Sequence, residues 1–274
     1  MKKRSLLERM ASAPHLVWMV LFIVAPLLFV AYYAFTTPEG NFTPENITAL
    51  TGHAETFGFS VCMSLISTVI CLLIGYPLAY CISRAKPQTQ KILILLVMLP
   101  MWMNLLIRTY SMMAILDDGG FLNHLLQTLG IAPVHIVGTS GAVIFGMVYN
   151  FLPYMVLPIH SVINKLDVRL IEAASDLGCN NFRILTRVIL PMSTPGIISG
   201  VTMVFVPSIS TFYISQKLGG GAFELIGDTI ERQFQNPSTY NVGAAISLVM
   251  MILILISLAI MNRFSDSNTG GMLV

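Results

Sequence analysis

The chain has 274 residues, 55% of them hydrophobic and only 10% charged, with a mean hydropathy of +0.77. That balance excludes a soluble core domain and leaves an all-α polytopic membrane protein, because uncharged runs of roughly 20 residues recur and helices satisfy their own backbone in lipid. The net charge of +2 comes from basic residues gathered in a few loops, which leaves no electrostatic footprint for a nucleic-acid partner.

The N-terminal segment, residues 1–15, carries Lys2, Lys3, Arg4 and Arg9 ahead of a first apolar run from Leu16 to Phe35. A cleaved signal peptide is the rival reading, but this run is longer than a signal h-region, and an anchor is needed to keep later basic loops on one side. Five more spans follow: Phe57 to Ser83, Ile92 to Leu116, Val137 to Ile163, Met192 to Gln216 and Val242 to Met261. The six-helix domain covers residues 16–262 and leaves a tail at 263–274. Arg84, Lys86, Lys91, Lys165, Arg169, Arg183, Arg187 and Arg263 all lie on one side of this arrangement. The opposite loops hold Glu39, Glu45, Glu55, Asp117, Asp118, Glu224, Asp228 and Glu231, with Lys217 and Arg232 as their strong bases. Both termini are therefore expected on the cytoplasmic side of the membrane.

Within the spans, Cys62, Cys71 and Cys81 form no CxxC pair, and with Cys179 they read as small apolar fillers, so no metal site is expected. Arg108, one turn from Asn104, is the charged residue set well inside a span. Two readings stand for it: pairing with Asp117 or Asp118 to hold a gate, or reaching to the headgroups. Trp102, Tyr110, Phe212 and Tyr213 either hold ammonium groups by cation–π contact or belong to an interfacial aromatic belt. Gly138 to Gly141, GTSG, match the serine-protease string GxSG, yet His160 follows Ser140 by 20 residues on one helix, about 30 Å by helical rise and beyond the reach of a base. Span five holds Pro191, Pro195 and Pro207 with Gly196 and Gly200, a pattern that either interrupts a helix beside a cavity or lets a neighbour pack closely. Residues 222–234 read as an amphipathic helix with Glu224, Asp228 and Glu231 as an acidic stripe. Since no carboxylate lies inside a span, a proton relay is missing and the driving energy is expected from another chain.

The loop at 166–191 is amphipathic, with Leu170, Ile171, Ala174 and Leu177 at helical spacing and Glu172 placed to complement a helix dipole. Gly178 breaks that helix, and a second carries Phe182, Leu185 and Ile189 on one side with Arg183 and Arg187 on another, ending at Pro191. Glu172, Ala173, Ala174, Gly178, Leu190 and Pro191 have the spacing of the EAA loop of ABC importer permeases, with Val188 where that family usually has Ile. Arg183 and Arg187 also read as a topological signal, and the loop as a lipid-binding interfacial helix is the plainer alternative.

The segments GYPLAY at Gly75, LPMWMNLLIRTY at Leu99, LPYMVLPIHSVINKLD at Leu152 and LGGGAFELIGDTIERQF at Leu218 resemble the spermidine/putrescine permeases of type I ABC importers, of the PotB type. The resemblance implies the MetI-like fold, a second permease subunit (a distinct PotC-type chain), two cytoplasmic ATPases and an extracytoplasmic polyamine-binding protein. It also implies coupling through Glu172, Ala173, Ala174, Gly178, Arg183, Leu190 and Pro191. ATP and Mg belong to the ATPase, and this chain, which has no GxxxxGK[ST] loop, is expected to bind no cofactor and to catalyse nothing. Candidates for the path or gate are Trp102, Asn104, Arg108, Tyr110, Asp117, Phe212, Tyr213, Asp228 and Glu231. Two alternatives stay open: an importer for another small solute, and a secondary transporter working alone.

Overall fold

A computed structural model of the chain describes residues 14–37 and 39–270. They fall into two compact units, Met1–Ala54 with Thr229–Leu253 and Glu55–Asp228 with Ile254–Val274. The basic residues Lys2 to Arg9 lie outside the described residues.

In the first unit, α1 (Pro14–Ala34) is apolar and long enough to span a bilayer. It passes through a π turn at Val20–Val24 just before Pro26, where proline offers no N–H and crowds the carbonyl four residues back, so a wider turn relieves the clash. Its end is tied by Asn241, whose amide donates to the carbonyls of Tyr33 and Thr36, while Ala34 packs with Ala244 and Ala245. Short turns at Glu45–Thr48 and Ala49–His53 lead to the second unit.

That unit holds α2 (Ala54–Arg84), α3 (Pro87–Trp102), α4 (Leu105–Leu116), α5 (Phe121–Thr128) and α6 (Ser140–Ile163). It continues through α7 (Val168–Asp176), α8 (Asn181–Met192), α9 (Thr194–Ile209) and α10 (Tyr213–Leu218). Two further helices, α11 (Ile226–Gln235) and α12 (Tyr240–Gly270), each have residues in both units. Four helical segments are long and apolar enough to cross a membrane, and two bent pairs raise the number to six among the described residues.

Two of the six spans are bent pairs, at breaks that follow or adjoin prolines. The third segment breaks between α3 and α4 with a bend of 96°, and the fifth breaks between α8 and α9 with a bend of 67°. Span five also ends sooner than expected, at Ile209, with α10 as a separate short helix.

The core of this unit is the packing of α9 on α6. Gly196 and Gly200 make it possible: a methyl group on Gly196 would stand 2.9 Å from the Pro158 carbonyl oxygen, and one on Gly200 would stand 3.1 Å from that of Met155. Close backbone approach through small residues is how helices associate where lipid removes the hydrophobic drive. These glycines therefore serve packing, and Pro207 lies inside an unbroken α9. Around this seam Cys71, Ala79, Met155, Val156, Ile159 and Val204 form one buried cluster.

Candidate functional site: the helical hairpin and the two bends

The hairpin is α7, a glycine turn and α8, and each of its ends is locally encoded. Asp167 caps α7, its Oδ1 accepting from the Arg169 N–H at 3.0 Å. Asp167, rather than Glu172, sits at the positive end of the dipole, since Glu172 lies in the middle of α7, exposed. The helix closes with the Cys179 N–H donating to the Ala174 carbonyl at 3.1 Å and the Gly178 N–H to that of Ser175 at 2.9 Å. This paired closure needs a left-handed residue, supplied by Gly178 at φ +80°. Asn180 then caps α8, accepting from the Arg183 N–H at 2.9 Å.

Burial divides the hairpin into two faces. Ile171, Ala174 and Cys179 pack against the core cluster, where Ile184 and Ile189 are fully buried. Leu177, expected with Ile171 and Ala174 on the first helix, and Phe182, expected with Leu185 and Ile189 on the second, instead project outward at 85% and 71% exposure. With exposed Glu172, Ala173 and Arg183, they give the hairpin tip two large apolar side chains that no element among the described residues covers. Helix α8 does not stop at Pro191; it widens to a π turn at Leu185–Ile189, just before the proline, and continues to Met192. At the bend Ser193 is fully buried, its Oγ bonded to the Leu190 carbonyl at 3.0 Å and paired with the Tyr76 hydroxyl of α2 at 3.0 Å.

The other bend follows Pro100. Asn104 caps α4, its Oδ1 accepting from the Leu106 N–H at 2.8 Å. Arg108 reaches back so that Nη1 donates to the Pro100 carbonyl at 2.6 Å, and its guanidinium lies 6.0 Å from the Tyr149 ring centroid. The gate reading with Asp117 or Asp118 is thereby corrected: Asp118 pairs with His135 at 2.8 Å, and Arg108, 8% exposed, holds the broken helix together. Its Nε is buried without a partner, and it lines a largely apolar cavity of about 610 Å³ with Met103, Met112, Phe145 and Tyr149. Asp117 is exposed at the end of α4, and its backbone carbonyl accepts from Asn123.

The remaining candidates separate. Trp102 and Phe212 are exposed at 70% and 40%. Tyr110 and Tyr213 meet edge to face at 6.2 Å, with the Lys217 ammonium 5.3 Å and 5.9 Å from their ring centroids. Asp228 is no part of an acidic stripe: it is buried and accepts from the Ser215 hydroxyl at 2.9 Å and the Leu225 N–H at 2.8 Å, locking the start of α11. Glu231, half-buried, accepts from Gln235. The GTSG string is a helix start, with Thr139 capping α6, and His160, on that same helix, is engaged by Gln90 at 2.6 Å.

These features form no catalytic constellation; they form a bent helix bundle with an exposed hairpin. The chain matches the family model described as "binding-protein-dependent transport system inner membrane component" over residues 6–269. It belongs to that family. It is 43% identical over 246 residues to the spermidine/putrescine transport system permease protein PotB of Haemophilus influenzae, covering 86% of each chain. Against PotB of Escherichia coli K12 the identity is 38% over 258 residues, 90% of this chain and 94% of the relative. Among solved structures, a bacterial ABC transporter for alginate import superposes with a TM-score of 0.77 at 18% identity, covering 95% of each chain. The MetNI methionine ABC transporter gives 0.58 at 16% identity, over 76% of this chain and 92% of that one. The chain is thus a PotB-type, multi-pass inner-membrane permease of an ABC importer, with the MetI-like fold, and a transport subunit with no enzymatic role.

Sequence reasoning about this permease missed Tyr76 and Ser193, put Leu177 on the apolar face of its helix and read Lys217 only as a base in an outer loop. Tyr76 and Ser193 are 117 residues apart, and a lone serine beside a proline signals nothing without that partner.

Proposed function

We propose that this permease imports polyamines, spermidine or putrescine, and that the hairpin 166–191 transmits the work of a cytoplasmic ATPase to the membrane helices. The observation that carries the coupling role is the exposure of Leu177 and Phe182 beside Glu172 and Ala173 on a hairpin whose opposite face is locked to the core. An apolar pair left bare at a charged, locally rigid tip fits a protein cleft better than water. The partner set is two ATPase subunits carrying ATP and Mg, a second permease of the PotC type and an extracytoplasmic polyamine-binding protein. This chain holds no cofactor. Both termini and the hairpin face the cytoplasm, on the strength of the basic loops.

In the mechanism, closure of the ATPases moves the hairpin as a lever, and α8 carries the motion through Ser193 into α9 and, by the Gly196–Gly200 seam, into α6. The helices rock and alternate the access of a central path. ATP-dependent uptake of radiolabelled spermidine and putrescine by the reconstituted complex tests the substrate, with amino acids, sulfate and iron chelates as competitors. Uptake driven by one of those competitors instead overturns the polyamine reading, and uptake without ATPase subunits overturns the importer mechanism.

A further inference from the structure

Among the described residues the Lys217 ammonium makes no ion pair. It sits over two aromatic faces, 5.3 Å from the centroid of Tyr110 and 5.9 Å from that of Tyr213. Those rings come from α4 and α10, meet at 6.2 Å with an interplanar angle of 77°, and remain open, Tyr110 being half exposed. A primary ammonium held by two tyrosine faces has the same recognising chemistry as the end of an alkyl diamine or triamine. The stem of Lys217 is itself an alkylammonium tethered to the chain.

We propose that Tyr110 and Tyr213 form an ammonium subsite of the permease, which Lys217 occupies when no substrate is present and which a substrate ammonium takes by displacing it. The inference rests on the polyamine reading for the identity of the substrate. Physically, the tethered lysine keeps the aromatic pair from collapsing onto other side chains and sets a threshold: a free cation must outcompete a resident one. Aromatic contacts of this exposed kind are individually weak, so exchange is facile and no deep trap forms in the path. Asp228 and Ser215 on neighbouring elements bond each other, and the Tyr110 hydroxyl adds a hydrogen bond with the Lys217 ammonium to the ring contacts.

The test is NMR of the intact complex in nanodiscs with lysines carrying ¹³C-dimethyl groups, which preserve the charge. The Lys217 resonance is assigned by its loss in Lys217→Arg. It is expected to lie upfield through ring currents and to return toward the free-lysine position in millimolar spermidine or tetramethylammonium, but not in magnesium chloride of matched ionic strength. The double substitution Tyr110→Leu with Tyr213→Leu is expected to abolish the upfield shift. An unshifted Lys217 signal, a shift that survives loss of both rings, or one that no ammonium moves overturns the subsite. Spermidine uptake by the wild-type complex with an unmoved Lys217 signal overturns the subsite alone. A signal moved by ammonium in a complex that imports no polyamine keeps the subsite and overturns the polyamine reading.

Discussion

The two bends in this permease solve one problem by different chemistry. At the break between α3 and α4, the Pro100 carbonyl is held by a charged donor, Arg108, with Asn104 capping the next helix. At the break between α8 and α9, the carbonyl of Leu190 is held by a neutral hydroxyl, Ser193, itself shared with Tyr76. The first closes on itself within one stretch of chain, from residue 100 to 108. The second is tied to a distant helix, so it links the hairpin to the bundle. A bend stabilised locally behaves as a fixed corner; a bend stabilised through α2 is suited to pass motion on.

That contrast can be broken experimentally. The largest effect is expected from Gly196→Leu, because the new side chain meets the Pro158 carbonyl and Ile159 backbone of α6; loss of the folded complex, seen by gel filtration, is the outcome, since overpacking against backbone costs typically 1–3 kcal/mol or more. Normal assembly would show that α9 does not ride on α6 as described. Arg108→Ala comes next: losing a hydrogen bond from a charged donor costs about 1.5–3 kcal/mol, read as a lower melting temperature. A rise instead would mean that burying the guanidinium costs more than its bond to Pro100 contributes, and that the corner is not what holds it.

Tyr76→Phe removes one neutral hydrogen bond, worth about 0.5–1.5 kcal/mol, yet is expected to lower uptake per ATP hydrolysed, while Asn104→Ala, a lost cap of about 1 kcal/mol, leaves that ratio unchanged. Equal ratios in the two variants would erase the distinction between the bends. The smallest effect is expected from Gly178→Asn. No atom lies within 4 Å of a Cβ built there, so only its φ of +80° matters. Gly178→Asn, a residue that tolerates this conformation, stays near wild type in coupled uptake, whereas Gly178→Val is strained by about 1–2 kcal/mol and uncouples hydrolysis from transport.

The permease fold was legible in the sequence because lipid leaves few alternatives: run length gave six spans, and the spacing from Glu172 to Pro191 gave the hairpin. The corners were not legible. Pro100 and Asn104 look alike whether a helix kinks or breaks, and the outcome depends on Arg108 folding back, a contact that periodicity does not encode. Asp228 was misread for a related reason. Its place beside Glu224 and Glu231 on the helical wheel suggested a solvent stripe, but Ser215 and the Leu225 N–H draw its carboxylate inward. Gly196 and Gly200, by contrast, left two meanings open in the sequence, and the backbone of α6 behind them decides for packing.

The central claim is that the hairpin tip engages the ATPase through Leu177 and Phe182. Co-purification of the ATPase subunits with a permease carrying Leu177→Asp and Phe182→Asp tests it most directly, because both side chains are bare and their loss leaves the core cluster untouched. A folded permease that no longer retains the ATPase is the predicted result; full retention of the ATPase with ATP-driven uptake intact would contradict the claim.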